Sequence, residues 1–384
     1  MITKRRKRAL LVTITTLAVS ALAWAPASAQ GTTSIGGYGD AVYMRDFQSK
    51  MSTIDLERLV LFVGHDFTKT VSLVSELEME DAKVTGGEPG GEIAFEQAYI
   101  RFRLDPGHSI VAGLFLPRIG ILNEDHLPTS FNGNERTLVE TFIIPSTWRE
   151  LGVGFYGSND ILPVEYSFAV VNGLDASAFA HGSLIREGRF EGRNASANNL
   201  ALTGSIQYAV SAWRLQVSGY YGGSVGLSPS AADSLRLAGG PFGTPVGLVE
   251  ADVQFARGPL SLRALGTLVS IPDAGAINSA FGSNTPTSAY GGYAEAAYDV
   301  VSAPGASDGA RLTAFLRYER LNLNATLPAN GIPDPELDQH HIITGLGYAP
   351  IRDIVLKADV RFSWRSGSDG SNTTFLTLGL GFSF

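Results

Sequence analysis

Arg101 and Arg103 stand two residues apart, so on an extended strand both project from one face. Two guanidiniums set this way can hold a passing phosphate or carboxylate bidentately. They can equally pair with Glu76 and Glu78 on a neighbouring strand, which is the simpler structural role. Further on, Asn123-Glu124-Asp125-His126 gathers an amide, two carboxylates and an imidazole in four positions. Carboxylates suit Ca²⁺ and imidazole suits transition metals. No second cluster at ligand spacing supports such a site, and neither a metal nor a cofactor is expected. His340 and His341 are adjacent, which sends them to opposite strand faces and makes them a poor joint site. Scattered Ser and His raise a rival class, a barrel lipase or protease. The sequence has no H-E-x-x-H and no P-loop, no serine-nucleophile elbow is expected, and enzymatic activity is not expected either.

Residues 119–147 form a segment of about 29 residues between strand patterns, longer than the ~12–15 usual for structureless loops. It carries Asn123, Glu124, Asp125, His126, Glu135, Arg136 and Glu140, enough charge to set the eyelet of a pore. A constriction loop folded into a lumen is the reading favoured here. The alternative is an outward loop packed on a neighbouring subunit or on lipopolysaccharide.

The elements that must carry these residues are strands. From Asp353, one face reads Ile354, Leu356, Ala358, Val360, Phe362, Trp364, and the other Asp353, Val355, Lys357, Asp359, Arg361, Ser363, Arg365. This alternation slightly exceeds the ~9–11 residues a tilted strand needs to cross a bilayer. The last strand places Leu376, Leu378, Leu380, Phe382 and Phe384 opposite Thr377, Gly379, Gly381 and Ser383. A period of two with one apolar face fits lipid outside and water inside, and carboxylates repeated on one face would be costly in a dry core. Short turns fall near 68–69, 105–107, 158–162, 211–212, 257–259, 302–309 and 350–352. Longer segments fall at 46–55, 84–91, 119–147, 173–197, 224–245, 272–288, 322–339 and 366–372. Alternating short and long connections predict an all-β, antiparallel transmembrane barrel of about 16 strands, with both termini on the short-turn, periplasmic side. Tyr208, Trp213, Tyr298 and Phe384 then fall near one rim and Tyr221, Tyr290 and Trp364 near the other, as aromatic girdles do.

Composition agrees. Gly supplies 44 of 384 residues and there is no cysteine, which excludes a disulfide scaffold, a lipoprotein and a thiolate metal site. The formal charge is −8, so a nucleic-acid partner is excluded. Basic residues at 4–8, an apolar run over 9–25 and Ala27-Ser28-Ala29 make a secretory signal peptide cleaved after residue 29. Residues 30–384 are expected to be a single barrel domain in the bacterial outer membrane.

One stretch goes beyond periodicity. It runs through Ser75-Glu76-Leu77-Glu78-Met79-Glu80, Glu96-Gln97-Ala98-Tyr99-Ile100-Arg101-Phe102, Gly113-Leu114-Phe115-Leu116-Pro117 and Ile143-Ile144-Pro145-Ser146-Thr147-Trp148-Arg149-Glu150-Leu151-Gly152. It resembles the N-terminal half of porins of the phosphate-selective porin O/P group. The resemblance implies a homotrimer of sixteen-stranded channels passing small hydrophilic solutes or ions, phosphate among them. The alternating tail ending at Phe384 is similar to the terminal signature of outer-membrane proteins, which implies contact with the outer-membrane assembly machinery, lipid and lipopolysaccharide. Alternation puts Glu76, Glu78, Glu80, Arg101, Arg103, Glu250, Asp252, Arg317, Lys357, Asp359 and Arg361 on the pore-lining face. Acids and bases mix there, so ion selectivity stays open. A non-conducting structural barrel is the remaining alternative, disfavoured because ~16 strands leave an aqueous interior.

Overall fold

The computed structural model describes residues 31–81, 91–159, 161–300, 310–367 and 372–384. The leader expected over 1–29, the turn at 302–309, residues 84–90 of the loop at 84–91, residues 368–371 of the loop at 366–372 and residue 160 of the turn at 158–162 lie outside the described residues. The barrel unit comprises Thr33–Phe384.

Its strands are β1 (Thr32–Asp46), β2 (Ser52–Asp66), β3 (Val71–Glu80), β4 (Ile93–Asp105), β5 (His108–Phe115) and β6 (Glu150–Ser158). There follow β7 (Val164–Asn172), β8 (Leu200–Val210), β9 (Trp213–Gly223), β10 (Pro245–Arg257) and β11 (Leu260–Ser270). The last are β12 (Ser288–Asp299), β13 (Arg311–Thr326), β14 (Asp338–Ile351), β15 (Ile354–Arg365) and β16 (Thr373–Ser383). Each lies beside its neighbours in sequence, and β1 pairs antiparallel with β16, Tyr38 opposite Ser383, to close a barrel of sixteen strands. Among the described residues three short α-helices sit in loops: α1 (Leu138–Phe142), α2 (Pro229–Ser234) and α3 (Ala274–Phe281). The connection expected to be long at 46–55 is short instead, only 47–51, because β1 and β2 both extend to fifteen residues.

The faces divide as the alternation requires. Leu356, Phe362, Leu378 and Leu380 are exposed on the outside of β15 and β16, while Lys357, Asp359 and Thr377 between them are buried. An exposed belt of this kind, on a closed barrel with no strand edge left unpaired, is the surface of a protein solvated by lipid, and the molecule is a bacterial outer-membrane barrel. Tyr208, Trp213, Tyr298 and Phe384 are exposed near the short-turn rim. Near the other rim the His340 ring stacks on Trp364 at 5.2 Å and its Nδ1 lies 2.8 Å from the Tyr318 hydroxyl. His341, on the opposite face, is buried against Ser363.

The interior is not polar throughout, contrary to expectation. Where the long loops enter, a dry core forms from Phe115, Ile119, Leu122, Ile143, Ile144 and Trp148. These pack on inward residues of the wall, including Tyr220, Leu248, Val269, Tyr293 and Leu321, and on Ile277 of α3. The loops carry apolar residues of their own, and burial inside the barrel is the only dry place open to them. The core thus fills the loop side of the lumen along β7–β13.

Candidate functional site

The chain between β5 and β6 crosses the lumen and is tied to the far wall. A crossing segment brings backbone N–H and C=O groups away from any ladder, and each needs a partner. Glu140, fully buried on α1, supplies several. Its Oε1 accepts from the Ile121 and Leu122 amides at 2.7 Å each, and its Oε2 from Tyr293 at 2.9 Å and Thr137 at 3.1 Å. Burial raises the Glu140 carboxyl above the usual carboxylate range, partly offset by those donors. Gly120 turns the chain beneath it with φ +74°, and a Cβ there would sit 2.7 Å from Glu140 Oε1. Asn123 ties both ends of the loop, donating to Pro117 O and Trp148 O and accepting from the Trp148 amide. Glu140 and Asn123, expected at an eyelet, are struts inside the loop.

Several residues expected to line the pore face inward but lie beneath this loop and anchor it. Lys357 donates to Phe131 O at 2.8 Å and Gly133 O at 2.7 Å. Asp359 accepts from the Asn134 amide at 2.9 Å and its side chain at 2.6 Å. Arg317 donates to Asn132 O at 3.1 Å and pairs with Glu295 and Glu319. Arg361 pairs with Glu135. Glu250 accepts from the Gly120 amide at 3.3 Å, beside buried Asp252. Periodicity places these side chains on the correct face but cannot see what covers them.

The β3–β5 wall differs, because two polar cavities lie along it. The one on the loop side, about 280 Å³, is lined by Glu78, Glu80, Ala94, Arg136, Arg149 and Arg189 among others. The one toward the short turns, about 370 Å³, is lined by Tyr99, Arg101, Arg103, Arg118, Glu124 and Tyr156 among others. The expected pairing of Arg101 and Arg103 with Glu76 and Glu78 does not occur. In the β3–β4 register Arg101 faces Ser72, Glu76 faces Gln97 and Glu78 faces Ala94, so the charges are separated along the strands. Arg101 donates to the Tyr99 hydroxyl at 2.9 Å and Arg103 lies 3.5 Å from Lys69 O. Among the described residues neither has a carboxylate at ion-pair distance. Glu78 approaches Arg149 at 3.8 Å instead, and Glu124 pairs with Arg118 at 2.6 Å. Asp125 is exposed.

Between the cavities lies a cluster that strand alternation misses. The register slips between Glu76 and Leu77, whose partners are Gln97 and Phe95, so Glu96 is the extra residue of a β-bulge. Strict alternation from Arg101 through Tyr99 and Gln97 would turn Glu96 toward lipid. The bulge turns it inward, where it is buried at 0 % exposure. The signal was present: Phe95 falls on the polar parity set by Gln97, Tyr99 and Arg101, which one inserted residue corrects. His126, 4 % exposed, brings its Nε2 within 3.3 Å of Glu96 Oε2. Arg136 is half-buried, its guanidinium enclosed beside Glu96, Tyr38, Glu78 and Arg58, and that desolvation together with Arg58 holds it below the ordinary arginine range.

Of hydrolytic machinery, the G-x-S-x-G spacing does occur, at 222–226 and 305–309. The second lies outside the described residues. In the first, Ser224 is buried and its hydroxyl donates to Thr244 O at 2.6 Å, at the end of β9 rather than on a strand-to-helix turn. Asp105 and His108 lie 2.8 Å apart, but the other nitrogen of His108 meets the Tyr166 hydroxyl, and the imidazole stacks on Phe155.

No family model matches the sequence. A protein of Aquifex aeolicus (strain VF5), itself described as uncharacterized, is 30% identical over 350 residues, 88% of this chain and 77% of that protein. Among solved structures, the anion-selective porin from Comamonas acidovorans superposes with a TM-score of 0.57 at 12% identity, covering 92% of this chain and 100% of that one. The outer membrane channel DcaP of Acinetobacter baumannii does so with a TM-score of 0.56 at 14% identity, covering 93% and 99%. At such identities the likeness is one of fold, the sixteen-stranded porin barrel.

Proposed function

The chain belongs to the same family as the Aquifex aeolicus protein, and we propose that it is a porin: a non-enzymatic channel for passive diffusion of small hydrophilic solutes. The observation that carries this reading is the pair of polar cavities along the β3–β5 wall, one on each side of the Glu76–Glu96–His126 cluster. The apolar core occupies the loop side of the lumen elsewhere, so the water-filled route is eccentric and follows this wall. The segment at 119–147 acts as the constriction loop. Its cavity-lining charges are Glu124 and Arg136, while His126 is buried between the cavities and Asn123 and Glu140 hold its shape. Small anions, phosphate included, are the favoured solutes, because Arg101 and Arg103 project into the inner cavity without a carboxylate partner. This is the selectivity that the phosphate-selective porin O/P resemblance implies. Cleavage after residue 29, a homotrimer, and insertion by the assembly machinery through the Phe384 strand complete the proposal.

Reversal potentials across planar bilayers test it. The purified protein should form ion-conducting pores that favour anions, and replacing Arg101 and Arg103 together by Ala should shift permeability toward cations. A protein that never conducts, or whose ion preference is untouched by both substitutions, would count against the channel or its selectivity respectively.

A further inference from the structure

We propose that Glu76, Glu96 and His126 form a binding site for a divalent transition-metal cation in the wall between the two cavities. One ligand atom from each residue lies within 4.8 Å of the others. Two carboxylates and an imidazole suit Zn²⁺, Co²⁺ and their first-row neighbours, with water filling the remaining positions.

Three features mark this as a built site rather than a chance gathering of charge. The first is the bulge that turns Glu96 inward against the alternation of β4. Bulges are built features that re-aim a side chain and collect at functional sites.

The second is the outer shell. A metal-bound imidazole donates its other N–H to a carbonyl or carboxylate, and bound carboxylates are themselves hydrogen-bonded. All three residues have such a partner. His126 Nδ1 lies 3.1 Å from Asn123 O, and since a carbonyl only accepts, Nδ1 carries the proton and Nε2 faces Glu96. Tyr38 donates to Glu96 Oε2 at 3.2 Å. Gln97 donates to Glu76 Oε2 at 2.9 Å.

The third is an acceptor left underfilled. Glu96 Oε1 is buried with no donor in full hydrogen-bond geometry, although the Thr147 side chain reaches the same carboxyl. The 3.3 Å between His126 Nε2 and Glu96 Oε2 is also about the separation of two ligands that each stand ~2.0–2.2 Å from one tetrahedral ion.

The charge around the site comes from every side. Glu78 on β3 adds a carboxylate, Arg136 and Arg149 from the crossing loop add two guanidiniums, and Arg58 on β2 pairs with Asp40 on β1. Arg149 is itself held by Glu191 at 3.0 Å and Arg58 by Glu57 at 2.6 Å as well as by Asp40, so carboxylates outnumber guanidiniums around the site, which leaves a place for added positive charge. The three residues either take a metal ion or stay a hydrogen-bonded cluster alone.

Titration of the full-length barrel in detergent with Co²⁺, read by visible absorption, and with Zn²⁺, read by calorimetry, separates the two. One ion per chain is expected. Glu96→Gln and His126→Ala should weaken binding by more than the ~10–100-fold that loss of an outer-shell partner costs, and Tyr38→Phe by about that amount. Asp125→Asn, next to His126 in sequence but outside the cluster, should leave affinity unchanged. Circular dichroism checks that each variant folds. Should Glu96→Gln fail, Glu76→Gln, at a less buried position, reads the same site. Absent binding, binding indifferent to Glu76 and His126, or equal loss in Asp125→Asn would overturn the site and leave an ion pair only.

Discussion

Lys357 shows what a single inward charge does in this barrel. Its ammonium holds two carbonyls of the crossing loop, Phe131 O and Gly133 O. Lys357→Met keeps the stem and removes the donor, leaving two acceptors short of a partner at ~1–3 kcal/mol each. The loop should loosen, and single-channel records should show higher conductance with more flicker; unchanged records would mean the anchor is dispensable. Glu140 makes a second prediction, in pH. Docking of the loop raises its pKa through burial. A group whose pKa is higher in the docked state contributes stability that is complete below its free value and lost as pH rises through the docked one. Hydrogen exchange at the Ile121 and Leu122 amides, corrected for intrinsic rates, should therefore show protection falling as pH climbs above the ordinary carboxylate range. Glu140→Gln should abolish that trend, and a trend that survives the substitution would assign it to another group.

The strands were legible because two signals agree along most of them. In β15 and β16 the outward face is apolar apart from Thr374, the inward face is polar or glycine apart from Val355 and Phe375, and Gly-, Pro- and Asp-containing turns punctuate the rim at Asp105-Pro106-Gly107 and Arg257-Gly258-Pro259. The bulge at Glu96 broke one of these signals and hid the most buried acid of the β4 wall from a strict alternation. How the crossing loop packs was not legible. Its Ile119, Ile143 and Trp148 have no strand period, and only the fold brings them against Tyr220 and Tyr293. On β10, Val246 and Leu248 share the inward face with Glu250 and Asp252, a mixed pattern that marks a wall dry at one end and polar at the other. Because the ladders close without the loop, removing residues 129–135 should leave a folded barrel. Its conductance should exceed that of the intact chain, and loss of β-structure by circular dichroism would show that the loop is needed for folding.

At the scale of the whole molecule, a sixteen-stranded barrel is wide enough to hold a water-filled interior, yet here much of its loop side is packed with apolar side chains. What remains polar runs along β3–β5, with a further cavity of about 260 Å³ near the short turns beside Arg263, Thr313 and Lys357. Solute should therefore move along the first wall and not the second. The chain has no cysteine, so single thiols can be placed without background. Ala94→Cys and Ser109→Cys sit in the two cavities of the first wall, and Thr313→Cys sits in the third. A charged methanethiosulfonate reagent added to conducting channels should sharply cut the current through the first two variants and barely alter it in Thr313→Cys. A block confined to Thr313→Cys, with both first-wall variants conducting as before, would contradict the account.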